Sequence, residues 1–373
     1  MISRLLLQQM SDNIFKGKVM LLFGPRQVGK TTIIHELLKE FSEITTQLNA
    51  DDPAVRRILD TPNTEQLRQI IGNKRIIFVD EAQQINNIGT TAKLIFDTFT
   101  EVQVILSGSS SFELSSAIQE PLTGRKRTFM MYPVSWKEWQ DHAGYIRAEQ
   151  DLENRLVFGF YPDVLNHPED PEVILRELTD SYLYKDVLLY GNLKKPDEIR
   201  KLLQALAYQV GNEITYRELS QISGLDPKTV ERYIDILEKA FIIFRLGSFS
   251  RNLRNEIKTG RKIYFYDNGI RNAVIGQLQP FANRQDIGAL WENFIICERK
   301  KRNTYAQSYA NSYFWRTVQQ QEIDYIEEHN GQLSAFEIKY NERRKIRFPK
   351  TFTDHYQANI HVINRSNFRD FLL

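Results

Sequence analysis

Cysteine is almost missing from this 373-residue chain: Cys297 is the only one, so no internal disulfide and no multi-cysteine zinc site can form. Its apolar neighbours suggest a buried helix position. The six histidines include no pair at metal-ligand spacing, which leaves a zinc hydrolase without support, and no Gly-x-Ser-x-Gly elbow occurs. Long apolar runs are also lacking, so no membrane span is expected. The opening Met1–Gln9 has too short an apolar stretch for a signal peptide and no small-residue cleavage site, and the chain reads as cytoplasmic. Repeats and low-complexity tracts are absent, which removes solenoids and disordered linkers. What is present, 42% hydrophobic and 26% charged residues, suits two or three domains with separate cores. The net charge of +2 hides a division: residues 251 to 373 hold 20 Lys/Arg against 13 Asp/Glu, the rest 29 against 34. This asymmetry permits a polyanion partner for the C-terminal third.

The most specific local pattern is Gly24-Pro25-Arg26-Gln27-Val28-Gly29-Lys30-Thr31, which fits G-x-x-x-x-G-K-[ST]. It stands between an apolar run, Val19 to Phe23, and a helical pattern, Thr31 to Phe41, with Ile33, Leu37 and Phe41 on one face. Glycines let successive N–H groups turn toward phosphates, Lys30 supplies a point charge, and Thr31 offers a hydroxyl to Mg²⁺. Thr32 follows within reach of the same phosphates. A nucleoside triphosphate is therefore the expected ligand.

The strand-like Arg75-Ile76-Ile77-Phe78-Val79-Asp80-Glu81 ends in two acids. Asp80 is expected to hold Mg²⁺, and Glu81 to orient and deprotonate the attacking water. A third apolar strand, Val102 to Leu106, runs into Ser107-Gly108-Ser109-Ser110-Ser111. Ser109, with Ser107 second, is the candidate sensor of the γ-phosphate or the water; the plainer reading is a serine-rich loop before a helix near Phe112. Leu122-Thr123-Gly124-Arg125-Lys126-Arg127 offers Arg125 as an arginine finger, in cis or on a neighbouring subunit of a homo-oligomer; the plainer reading is a basic surface loop.

Together the phosphate loop, Phe78-Val79-Asp80-Glu81, Leu106-Ser107-Gly108-Ser109 and Leu122-Thr123-Gly124-Arg125 resemble a large prokaryotic family of AAA+ ATPases whose members carry a C-terminal domain of unknown function. The resemblance covers nearly the whole chain. It implies ATP and Mg²⁺ as cofactors, ATP hydrolysis, and a parallel sheet with an additional strand between the two that bear the Walker motifs.

Between Gly144 and Pro196 the pattern is mostly helical, including Val173 to Leu189 with Ile174, Leu178, Tyr182 and Val187 on a packed face. Residues 197 to 247 read as a winged helix-turn-helix: a helix Glu198 to Val210, a second over Thr215 to Ile222, a Gly224-Leu225-Asp226 turn, and a third over Pro227 to Ala240. Asp226 is the expected N-cap and Pro227 the first-turn residue. Val230, Ile234, Leu237 and Phe241 face inward, with Lys228, Thr229 and Arg232 outward like a recognition helix. The run Arg251, Arg254, Lys258, Arg261 and Lys262 falls where a wing would touch DNA; packing between domains is the competing use. Glu231 and Asp235 argue against phosphate contacts along the helix itself.

In the last third, Glu292 interrupts an apolar helix, and two strands present Asp324 and the Glu337-Ile338-Lys339 triplet. Alternation puts Glu337 and Lys339 on one face. This arrangement resembles restriction-endonuclease-like D…(D/E)-x-K nucleases, with Ile323 where a proline usually precedes the Asp. The resemblance implies a second Mg²⁺ or Mn²⁺ site at Asp324, Glu337 and Glu292, with Lys339 positioning water. Arg299-Lys300-Lys301-Arg302 and Arg343-Arg344-Lys345 are phosphate contacts or solvated faces.

The expected class is α/β: an AAA+ P-loop domain with a parallel sheet (1–143), a helical connector or lid (144–196), a winged helix (197–270) and a restriction-endonuclease-like α/β domain (271–373). The expected function is ATP hydrolysis coupled to nucleic-acid binding or cleavage. The alternative is an ATP-dependent switch whose C-terminal domains bind a partner and cleave nothing.

Overall fold

The computed structural model describes residues 2–109, 120–180, 196–250, 260–342 and 346–373. Within these, the chain divides into two compact units, Met1–Pro133 with Lys239–Phe241, and Val134–Glu238 with Ile242–Leu373.

The first unit is built on five parallel strands: β1 (Val19–Phe23), β2 (Thr45–Asn49), β3 (Ile76–Asp80), β4 (Gln103–Gly108) and β5 (Lys126–Met130), in the order β2-β3-β4-β1-β5. Strands β1, β3 and β4 are near-continuous apolar runs, as strands covered on both faces must be. β4 lies between β1, which carries the phosphate loop, and β3, which carries the acids. That is the inserted strand the family resemblance implied. The helix after the loop spans Lys30–Leu38 and gives way to a 3₁₀ segment, Lys39–Ile44, so the helical run to Phe41 tightens before its end. Asn63 opens the helix Thr64–Ile71 with a capping box closed by Gln66.

The second unit holds one seven-stranded sheet. Its strands are β6 (Glu213–Ile214), β7 (Ile243–Ser248), β8 (Arg261–Phe265), β9 (Asn311–Arg316), β10 (Glu322–His329), β11 (Gln332–Ile338) and β12 (Ala358–Ile363), in the order β12-β11-β10-β9-β7-β8-β6. β9, β10 and β11 form an antiparallel meander, and β12 joins β11 in parallel. β7 pairs with β9 in parallel at Gly247↔Tyr313 and Ser248↔Phe314. The strands from the 197–270 region and those from the 271–373 region thus share one hydrogen-bonded sheet.

Helices Pro196–Tyr208, Tyr216–Ser223 and Pro227–Lys239 lie near their expected positions. Asp226 caps the third as expected, accepting from the Lys228 and Thr229 N–H groups at 3.1 and 3.0 Å. Val230, Ile234 and Leu237 are buried, and Lys228 and Arg232 exposed. The helix expected over Val173 to Leu189 is seen as Pro171–Leu178; Tyr182 and Val187 lie outside the described residues. Ser110, Ser111, Phe112, Arg251, Arg254, Lys258 and Arg343-Arg344-Lys345 also lie outside them. The longest helix among the described residues, Ile287–Tyr305, buries Trp291, Phe294, Ile295 and Cys297. Among the described residues no helix is long and apolar enough to cross a membrane.

Candidate functional site: a phosphate cleft and an acid centre

At the C-terminal end of β1 the chain turns through Gly24 to Gly29. An added Cβ on Gly24 would stand 2.1 Å from the Met131 carbonyl oxygen, so only glycine permits this approach. Gly29, at φ +94°, and Gln27, at φ +59°, carry the loop through the left-handed region. Arg4 braces it from behind, donating to the carbonyls of Val28 and Tyr132 at 2.8 and 2.6 Å. The buried Lys30 ammonium reaches back to the Gly24 and Pro25 carbonyls at 2.9 and 2.8 Å.

Thr31 donates from Oγ1 to Asp80 Oδ2 at 2.7 Å, joining the helix start to the tip of β3. Ser107 donates to the other Asp80 oxygen, and the Glu81 N–H reaches that same oxygen at 3.0 Å. A hydroxyl and a carboxylate so placed are hard oxygen donors, the set Mg²⁺ prefers. Glu81 sits at φ +48°, an uncommon backbone for a non-glycine residue. Its carboxylate accepts from Gln83 Nε2 and from Ser109 Oγ, the latter at 3.2 Å. Arg26, Gln27, Gly29, Lys30, Thr31, Thr32, Asp51 and Glu81 line a polar cleft of about 420 Å³.

The structure therefore brings Gly24 to Thr32, Asp80, Glu81 and Ser109 together. It does not bring Arg125 to them in the same chain. Arg125 accepts at its carbonyl from Val19 N–H, at the start of β1 rather than the end that carries the loop, and pairs with Asp97 at 3.0 Å. Five strand residues, roughly 16 Å, separate those two ends. Asp51 and Gln83 were missed by sequence reasoning. Asp51 lies beyond β2, whose partner register Asn49↔Asp80 no local motif reveals, and Gln83 reads as an ordinary turn residue.

In the second unit Glu292, Asp324, Glu337 and Lys339 also converge. Lys339 Nζ lies 2.6 Å from Asp324 and 3.0 Å from Glu337, and Asp324 accepts from the Ile338 N–H at 2.8 Å. Glu292, on the long helix, accepts from Tyr264 at 2.7 Å and pairs with Lys262 at 3.4 Å; Lys262 also pairs with Glu322 at 2.5 Å. Burial, then the neighbouring Asp324, pushes the Glu337 carboxyl up to about 7, against the pull of Lys339. Burial and Asp324 likewise raise Glu292 despite Lys262. Burial alone would lower the Lys262 ammonium, yet Glu292, Glu322 and Asp324 hold it above its ordinary value. Among the described residues no group of three or more His, Cys, Asp or Glu is disposed to hold a metal ion. Lys339 is the cation between Asp324 and Glu337.

Two basic runs need correction. Lys262, expected on a DNA-facing wing, is 1% exposed inside the acid centre, and Arg261 bonds Tyr216 and faces Glu231. In Arg299-Lys300-Lys301-Arg302, Arg299 makes a bidentate pair with Glu327 at 2.8 and 2.6 Å, and buried Lys301 pairs with Glu298 at 2.7 Å. These cations are spent on internal partners because the long helix buries most of its circumference. Cys297 is buried as expected, its thiol pushed up to about 12 by burial.

The loop, the acid-tipped strand two places away and the all-parallel sheet are the arrangement of a P-loop nucleotide-binding domain. Residues 16–140 match the family model of an AAA domain; residues 149–280 and 287–370 match two domains of unknown function, DUF8612 and DUF4143. An uncharacterized protein of Mycobacterium tuberculosis is 25% identical over 331 residues, spanning 87% of this chain and 71% of that protein. One from Methanocaldococcus jannaschii is 23% identical over 310 residues, spanning 78% and 68%. Similar solved structures include AMPPCP-bound DnaA from Aquifex aeolicus, with 16% identity, 62% and 86% coverage and a TM-score of 0.27. The Thermotoga maritima RuvB Holliday junction branch migration motor is similar at 15% identity, 70% and 92% coverage and a TM-score of 0.33.

Proposed function

We propose that the protein hydrolyses ATP at the Gly24–Thr32 loop and uses the cycle to govern a nucleic-acid-engaging C-terminal unit. The observation that carries hydrolysis, beyond binding, is Glu81: a carboxylate held at the cleft wall, one residue past the Thr31–Asp80 pair. Loop N–H groups and Lys30 bind the phosphates, and Lys30 exchanges its bonds to the Gly24 and Pro25 carbonyls for phosphate oxygens. Thr31 and Asp80 would hold Mg²⁺, which when bound offsets charge on the β- and γ-phosphates. Water attacks the γ-phosphorus, the bond to the ADP oxygen breaks, and Glu81 takes the water's proton. Ser109, hydrogen-bonded to Glu81, serves in this reading as the γ-phosphate sensor. Arg125 acts, in this reading, only on a neighbour's nucleotide, in a homo-oligomer.

Phosphate release tests the core of the proposal: the wild-type protein turns over ATP, and Glu81→Gln lowers turnover at least 100-fold while ADP still binds. Unchanged turnover in that variant would sink the base assignment.

For the C-terminal unit the second reading is metal-dependent cleavage at Asp324 and Glu337 beside Lys339, with Mg²⁺ or Mn²⁺ as the ion. The convergence of these side chains on β10 and the end of β11 favours it; the lack, among the described residues, of a trio of acids disposed to hold a metal, and the two lysines that already neutralise the acids, favour a unit that binds DNA or a protein partner without cutting. Plasmid nicking with Mn²⁺, lost in Lys339→Ala, supports cleavage. Absence of nicking together with ATP turnover insensitive to DNA would leave the switch.

A further inference from the structure

Gln83 lies two residues past Glu81 in the 3₁₀ turn Ala82–Gln84 and is 6% exposed. Its Nε2 donates both to Glu81 Oε2 and to Ser109 Oγ at 3.1 Å, and Ser109 donates to the same Glu81 oxygen at 3.2 Å. Three side chains, from the segments that follow β3 and β4, thus close a ring on one carboxylate oxygen. Both donors fall on Oε2, so Oε1 is the Glu81 oxygen with no hydrogen bond among the described residues. We infer that Gln83 is a positioning residue for Glu81, its amide fixing Oε2 so that Oε1 is presented to the water.

This rests on Glu81 being the base of the proposed ATPase. Gln83 Oε1 is buried with no hydrogen-bond partner among the described residues, which costs on the order of 1–3 kcal/mol. For stability alone an apolar side chain of similar length would serve better, so what the glutamine contributes is its donor. The backbone of Glu81 agrees: φ +48° turns the side chain back over the following turn, where Gln83 and Ser109 receive it.

Two variants test the assignment. Gln83→Met keeps length and removes the donor: kcat is expected to fall roughly tenfold, with KM and ADP affinity within about twofold and a melting temperature equal to or above wild type. A Gln83→Met protein with wild-type kcat, or one that loses stability and ADP affinity together, overturns the inference. Glu81→Gln separates the two claims: if it keeps wild-type turnover, the base assignment has failed rather than the role of Gln83.

Discussion

The phosphate cleft and the acid centre each gather carboxylates, lysine and hydroxyl groups, and they dispose of their charge differently. In the cleft, Lys30 bonds neutral carbonyls of its own loop, Thr31 and Ser107 donate to Asp80, and Gln83 and Ser109 donate to Glu81. In the acid centre Lys339 pairs with Asp324 and Glu337, and Lys262 with Glu292 and Glu322. Exchanging a neutral hydrogen bond for a phosphate oxygen sacrifices about 1 kcal/mol, whereas breaking a buried ion pair costs about 3–5 kcal/mol. The cleft is thereby ready for a charged ligand, and the acid centre must be opened first.

That contrast is broken most strongly at Lys262. Lys262→Ala leaves Glu292 and Glu322 without their ammonium and is expected to cost about 3–5 kcal/mol in urea unfolding; a loss under about 1 kcal/mol would mean the acids do not depend on it. Next, Lys30→Ala should lower ATP turnover about 100-fold, some 2.7 kcal/mol, with the fold intact by circular dichroism. Lys339→Ala, at a half-buried pair screened by solvent, should lose about 2 kcal/mol in EDTA and regain it with Mn²⁺. If Mn²⁺ stabilises the wild type equally, the acid centre accepts metal with its lysine in place and the two sites are more alike than their ion pairs imply.

The smallest effect concerns Glu327. Burial would raise its pKa, but the Arg299 guanidinium, with Asn303 and Tyr325, holds it below the ordinary 4.5. A depressed carboxylate adds stability that is present above the ordinary value and lost as pH falls through the folded one. The melting-temperature gap between wild type and Glu327→Gln should therefore narrow below pH 4.5; a gap that is constant with pH would assign the difference to packing.

The phosphate loop was legible because its chemistry is local: glycine backbone, one lysine and one hydroxyl within eight residues, beside an apolar strand. The placement of Asp80 and Glu81 beside that loop was legible for the same reason. Arg125 was not, because a motif gives identity without saying which end of a strand it occupies. The Lys262 reading failed through another rule: a basic run between hairpin strands usually faces water, and only the distant Glu292 and Glu322 turn this lysine inward. The division at residue 270 likewise says nothing of the pairing of β7 with β9, which joins residues 66 positions apart in sequence.

That pairing governs how the chain can be cut or shuffled. A gene break between Ser248 and Asn311 would leave β7 and β9 each with a bare row of N–H and C=O groups, and both fragments would seek strands elsewhere. Residues 213–363 thus contribute to one hydrogen-bonded sheet, and any graft of the acid-bearing meander onto another protein must bring its hairpin along.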